Sequence, residues 1–140
     1  RARVERWLDT AENLSLLDDY VLAETETDRE ITVGATTLRC RMDAVFRRVD
    51  RAGWLIVDWK TGRRQVPVDQ LSVYVHAWAA SQGVPVGSVR AVYVYVDYPG
   101  GRVDELTDAD LLSLDQIESA LTPGSPPDEM TPLPAPEQQG

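Results

Sequence analysis

Apolar positions recur along this chain with two different periods, and the changes of period divide it into elements. Val4, Trp7, Leu8 and Ala11 return at helical spacing, so residues 2–14 read as an amphipathic helix. Residues 31–34 and 37–48 then read as two strands joined by a tight turn at Gly34-Ala35. In the second, Leu38, Cys40, Met42, Ala44 and Phe46 alternate with Arg39, Arg41, Asp43 and Arg47, which predicts one apolar and one polar face. A third strand, residues 54–60, follows the Ala52-Gly53 break. Asp69 is placed to cap a helix that ends near Gln82-Gly83 and carries Leu71, Tyr74, Val75 and Trp78 on one side. Residues 89–98 are the strongest strand in the chain, dense in Val and Tyr, and Pro99-Gly100-Gly101 turns the backbone after them. Thr107 with Asp110 resembles a capping box, opening a helix through about Leu121 with Leu111, Leu114 and Leu121 inward.

The order helix, three meandering strands, helix, strand, helix predicts an α+β (α/β) domain with a central mixed β-sheet flanked by helices. One domain is expected over residues 1–121. Six of the nineteen residues from Thr122 onward are proline, so residues 122–140 read as a disordered tail or linker. No apolar run approaches the roughly 20 residues needed to span a bilayer, and no segment has the form of a signal peptide. The chain begins at Arg1 rather than Met, as a piece of something longer would.

Composition changes this picture in two places. Cys40 is the single cysteine, which excludes an internal disulfide, a cysteine-only zinc site and an iron–sulfur cluster, and suits a cytoplasmic protein. The net charge of −9 argues against a polyanionic partner until it is mapped. Residues 97–140 hold ten acidic groups and one basic group, while residues 1–96 hold thirteen of each sign. Within the balanced half, residues 39–64 carry eight basic groups against Asp43, Asp50 and Asp58, so positive charge collects around one stretch.

That stretch also holds the candidate chemistry. Asp58 and Lys60 stand two apart on a strand, so both side chains emerge on one face. If the 37–48 and 54–60 strands pair as a hairpin, Asp43 comes alongside them. Two carboxylates suit a hard divalent cation such as Mg²⁺ or Mn²⁺, which takes oxygen ligands and keeps waters. The backbone carbonyl of Trp59, between the pair, could supply a further oxygen. A bound cation of this kind lowers the pKa of water and neutralises charge on a phosphate, and a nearby ammonium can orient the attacking water. Lys60 is the only lysine beside thirteen arginines, a contrast that singles out a place where a compact ammonium is wanted.

At these residues the sequence resembles the RecB-like branch of the PD-(D/E)XK nucleases. The family pattern is Gly-x-x-Asp on one strand, Asp-x-Lys-Thr-Gly at the end of the next, and Gln-x-x-x-Tyr on the following helix. Cys40-Arg41-Met42-Asp43 corresponds to the first with cysteine in place of glycine. Asp58-Trp59-Lys60-Thr61-Gly62 matches the second in full, and Gln70-Leu71-Ser72-Val73-Tyr74 matches the third. The resemblance covers residues 24–98 and implies a restriction-endonuclease-like core. It implies Asp43 and Asp58 as metal ligands, Lys60 as the catalytic lysine, and Gln70 and Tyr74 as residues that contact DNA or support the site. Domains of this branch end helicase–nucleases of the UvrD/RecB kind that act in repair and recombination. The expected partners are therefore DNA, single-stranded or at its ends, and a helicase domain or subunit, with no membrane. This branch also carries a metal-binding histidine on an upstream helix. The only histidine here, His76, follows the motifs, so that element precedes Arg1 or a carboxylate such as Glu24 or Glu12 stands in for it.

Plainer roles compete at several of these positions. Asp43 beside Arg39 and Arg41 fits an ordinary cross-strand ion pair. Arg63 and Arg64 suit phosphate contact or simple solvation. Tyr74 suits the core as well as a ligand, while Trp78 and Cys40 read as core and His76 as packing. The alternative to a working nuclease is a nuclease fold that no longer cuts and serves as a scaffold or a clamp on DNA ends.

Overall fold

The computed structural model describes residues 15–62 and 64–121. The helix expected over residues 2–14, the proline-rich tail, Glu12 and Arg63 lie outside the described residues. Five strands form one mixed sheet in sequential order: β1 (Tyr20–Val33), β2 (Thr36–Arg48), β3 (Trp54–Lys60), β4 (Val89–Tyr95) and β5 (Arg102–Glu105). All neighbours are antiparallel except β3 and β4, which run parallel. A parallel pair requires a crossover, and helix α1 (Leu71–Gln82) supplies it. A short helix α2 (Leu114–Ala120) ends the described chain and packs against β1.

Two apolar layers sandwich the sheet. On the α1 side, Val45, Ile56, Ala91, Tyr93 and Tyr95 meet Leu71, Tyr74, Val75 and Trp78. On the other side, Ala44, Phe46, Leu55, Val57, Val92 and Val94 form a second cluster, with Leu16, Leu17, Tyr20 and Trp59 against it. β3 and β4 are thus buried on both faces, which is why their sequences are near-continuous runs of apolar residues.

Several boundaries differ from the sequence reading, each for a physical reason. β1 begins at Tyr20, not residue 31, because an edge strand buries few side chains and Tyr20–Glu30 shows no clean alternation. Its irregularities are a register shift between Leu22 and Glu24 and a left-handed Glu26 (φ 49°). β5 was not foreseen, being four residues of mostly polar character. β4 stops at Tyr95, and residues 96–98 already turn. Asp69 does not cap α1. It sits inside a 3-10 turn, Val68–Gln70, that leads into the helix, and the N-cap residue is Gln70. Gly83, at φ 68°, closes the helix in the left-handed conformation that glycine adopts without strain. The box at Thr107 and Asp110 closes a turn rather than a helix. The helix starts at Ser113, whose hydroxyl accepts from the Gln116 amide while the Gln116 side chain accepts from the Ser113 N–H. Ile117 is its buried residue and Leu114 faces out, at 40% exposure.

The single apolar face expected on β2 is also divided. Cys40 and Met42 belong to the α1-side core, whereas Ala44 and Phe46 belong to the opposite one, and Val45 joins Met42. The alternation changes phase at Asp43.

Candidate active site

The phase change at Asp43 has a visible cause in the ladder. β2 and β3 are paired from Arg47↔Trp54 to Ala44↔Val57, and the pairing ends there. One step further, Asp43 would stand opposite Asp58. Instead of continuing the ladder, the Asp43 carboxylate itself accepts the Trp59 N–H through Oδ2 at 2.8 Å. A side chain takes the place of a backbone acceptor where the two strands part. The arginines of β2 do not neutralise it: Arg39 and Arg41 reach outward to Glu30 and Asp28 of β1, their cross-strand partners. Among the described residues no ion pair joins Asp43 to Arg39 or Arg41.

Asp58 is buried at 5% exposure, and its Oδ2 lies 3.2 Å from Lys60 Nζ. That approach is an ion pair without hydrogen-bond alignment, so Asp58 Oδ2 is a buried oxygen with no hydrogen bond among the described residues. Burial, and after it the neighbouring Asp43 charge, push the Asp58 carboxyl well above the usual carboxylate range, with Lys60 opposing. Among the described residues the arrangement is short of positive charge, with the carboxylates of Asp43 and Asp58 beside the Lys60 ammonium.

β4 supplies the floor. Tyr93 pairs with Asp58 across the parallel ladder, and Lys60 Nζ stands 4.9 Å from the centre of the Tyr93 ring. The Tyr93 hydroxyl donates to Gln70 Oε1 at 3.3 Å, at the start of α1, and lies 3.4 Å from the Pro67 carbonyl. One helical turn on, Tyr74 is buried over the same region. Burial first and the Asp58 charge second push the Tyr74 and Tyr93 hydroxyls well above the usual phenol range, so both stay protonated. The residues of the three motifs thus converge, with Asp43 from β2, Asp58 and Lys60 from β3, Gln70 from the turn before α1 and Tyr74 from α1.

Other candidates fall elsewhere. Glu24 is held by Arg29 (3.2 Å), whose guanidinium also covers the Trp78 ring, and among the described residues no third His, Cys, Asp or Glu joins Asp43 and Asp58. His76 Nε2 makes a 2.8 Å hydrogen bond with the Leu112 carbonyl, a packing role. Cys40 is buried, and Arg64 is exposed in the loop after Lys60. Tyr93 was missed as a site residue: its sequence context is that of any core strand, and only the parallel register of β4 on β3 brings it under Lys60.

The residues present fit a divalent cation. Two carboxylates face each other at a fork in the sheet, one with an orphaned buried oxygen. The Trp59 N–H points toward β2, and in an extended strand the carbonyl of the same residue points to the same side, toward Asp43.

Comparison with known proteins bears on the fold and the family. A candidate exonuclease from Eubacterium rectale superposes with a TM-score of 0.53 at 11% identity, over 98% of this chain and 52% of that one, which shows a shared fold. This chain spans about half the length of that protein. A second solved structure, SSO0001, aligns over 89% of this chain and 60% of its own at 19% identity, with a TM-score of 0.39. No curated protein matches in sequence. No described helix is long and apolar enough to cross a membrane. The family model described as the PD-(D/E)XK nuclease superfamily matches residues 1–132, and the chain belongs to that superfamily.

Proposed function

We propose that the domain is a Mg²⁺- or Mn²⁺-dependent deoxyribonuclease that hydrolyses phosphodiester bonds. The observation that carries this reading is the pairing of Asp43 with a buried, incompletely satisfied Asp58 beside the only lysine of the chain. Asp43, Asp58 and the Trp59 carbonyl would hold the cation, which supplies charge neutralisation at the phosphate and an acidified water. Lys60 places its ammonium where negative charge develops on the phosphoryl oxygens. Tyr93 limits where that ammonium can lie, through the ring beneath it. Gln70, just ahead of α1, and Tyr74, on it, border the site, and Arg63 and Arg64, which follow Lys60 in sequence, would meet the phosphate backbone of a strand. In this reading the domain serves a cytoplasmic helicase–nuclease acting on single strands or ends of DNA in repair and recombination.

The test is calorimetric titration of Mn²⁺ into the wild-type domain and into Asp58→Ala, followed by cleavage of a single-stranded oligonucleotide. Binding and cleavage in the wild type alone are the expected result. A wild-type domain that binds neither metal nor cleaves would favour the scaffold reading.

A further inference from the structure

Between Lys60 and α1 the chain runs through a loop that has little secondary structure of its own, yet it is fastened at successive points to one end of β4. The Val96 N–H donates to the Lys60 carbonyl at 3.3 Å. The Gly62 N–H donates to Asp97 Oδ2. The Val66 N–H donates to the Tyr95 hydroxyl at 2.8 Å, and Gln65 Nε2 reaches the Tyr98 hydroxyl at 3.3 Å. Gly62 is left-handed at φ 77°, so the backbone changes direction where Asp97 takes hold of it. Arg64, two residues on, is exposed and carries the loop's described positive charge. Lys60 is held independently, by its pairing with Tyr95 in the β3–β4 ladder.

We propose that Asp97 is a positioning residue for substrate: by holding the Gly62 amide it sets the course of the loop past Lys60 and so places Arg64 against the nucleic-acid strand. The inference rests on the nuclease reading above. A carboxylate suits the task because a hydrogen bond from an N–H to a charged acceptor is roughly twice as strong as a neutral one. Since Lys60 is fixed by the sheet and Arg64 by the loop, loss of Asp97 separates chemistry from binding. Asp97→Ala raises KM for a single-stranded oligonucleotide by about tenfold with kcat little changed. Asp97→Asn, whose side-chain oxygen can still accept the Gly62 N–H, restores most of the loss. Because Asp97 acts through the loop, adding Asp97→Ala to Arg64→Ala has little further effect on KM.

The experiment is steady-state cleavage kinetics in Mn²⁺ with wild type, Asp97→Ala, Asp97→Asn, Arg64→Ala and the double variant. Hydrogen exchange at the Gly62 amide is followed alongside. A wild-type KM in Asp97→Ala overturns the proposal, as does a fall in kcat alone, which reports lost folded enzyme. Additive effects in the double variant overturn it too. Should Asp97→Ala fail to fold, the comparison of Asp97→Asn with Tyr95→Phe decides: the proposal requires faster Gly62 exchange and a raised KM to appear together. Inactivity of the wild type itself would instead count against the nuclease reading.

Discussion

Without a cation, Asp43, Asp58 and Lys60 bring two negative charges and one positive charge into a place largely closed to water. Replacing Asp58 by asparagine leaves one carboxylate for one ammonium in nearly the same shape. At an effective dielectric of about 20, unit charges about 4 Å apart interact by about 4 kcal/mol. The repulsion of Asp58 by Asp43 and its attraction to Lys60 oppose each other, with the Asp43 repulsion the larger. Added to that difference is the cost of burying the carboxylate, several kcal/mol, less about 1–3 kcal/mol that a buried amide also pays. Asp58→Asn should thus stabilise the metal-free domain by about 1–2 kcal/mol, within the usual range for relieving a functional site, or roughly 4–8 °C in Tm for a chain this size. The sign in pH follows from the raised carboxyl. Folding draws a proton onto Asp58 between its ordinary value of 3.8 and its higher folded value, so wild-type stability falls as pH rises through that window. The advantage of the variant is absent below the ordinary value and complete above the folded one. Mn²⁺ at about one hundred times its dissociation constant returns about 2.7 kcal/mol to the wild type and little to the variant. Differential scanning fluorimetry of both proteins across pH, in chelator and in Mn²⁺, reads all three effects. A variant less stable than wild type in chelator at neutral pH, or one that gains equally from Mn²⁺, would refute the reasoning.

Other residues give simpler expectations. Asp43→Ala strands the Trp59 N–H at the fork and should cost about 1–3 kcal/mol by urea denaturation, whereas Asp43→Asn keeps an acceptor and costs less. Lys60→Gln should preserve Mn²⁺ binding by calorimetry while cleavage falls by about a hundredfold or more. Ser113→Ala removes one half of the α2 capping box and should lower stability by about 0.5–2 kcal/mol, with an unchanged denaturant slope. Trp78→Ala empties a fully buried position that touches Trp54 edge-on and should cost about 3–5 kcal/mol.

The placing of the motif residues was more legible in the sequence than the geometry of the sheet. Asp58, Lys60, Gln70 and Tyr74 lie in short motifs whose spacing is independent of the element boundaries, and Tyr93 lies against both Lys60 and Gln70. The central strands were legible because β3 and β4 are buried on both faces. The outer strands were not: β1 and β5 draw their strand character from pairing with a neighbour, which leaves little trace in side-chain alternation. β2 misled in a more instructive way. Its alternation from Leu38 to Ala44 suggested one apolar face, yet the strand changes partner layer at Asp43, and the apolar run Ala44-Val45-Phe46 that follows is the trace this break leaves in the sequence. The last helix slipped by six residues because two capping patterns stand in succession. Thr107 and Asp110 close a turn, and Ser113 and Gln116 open the helix.

The fork between β2 and β3 has a mechanical side. Four residue pairs join those strands, and everything in the site except Asp43 belongs to the continuous β3–α1–β4 unit. Asp43 arrives from the β1–β2 hairpin, a unit built from contacts close in sequence. The site thus straddles a seam between two pieces of different provenance. A cation held by Asp43 and Asp58 would rivet the hairpin to the rest of the sheet, and its departure would loosen that join first. Metal occupancy would then govern how the hairpin breathes against the body of the domain, making the same ion a fastener of the fold as well as a reagent.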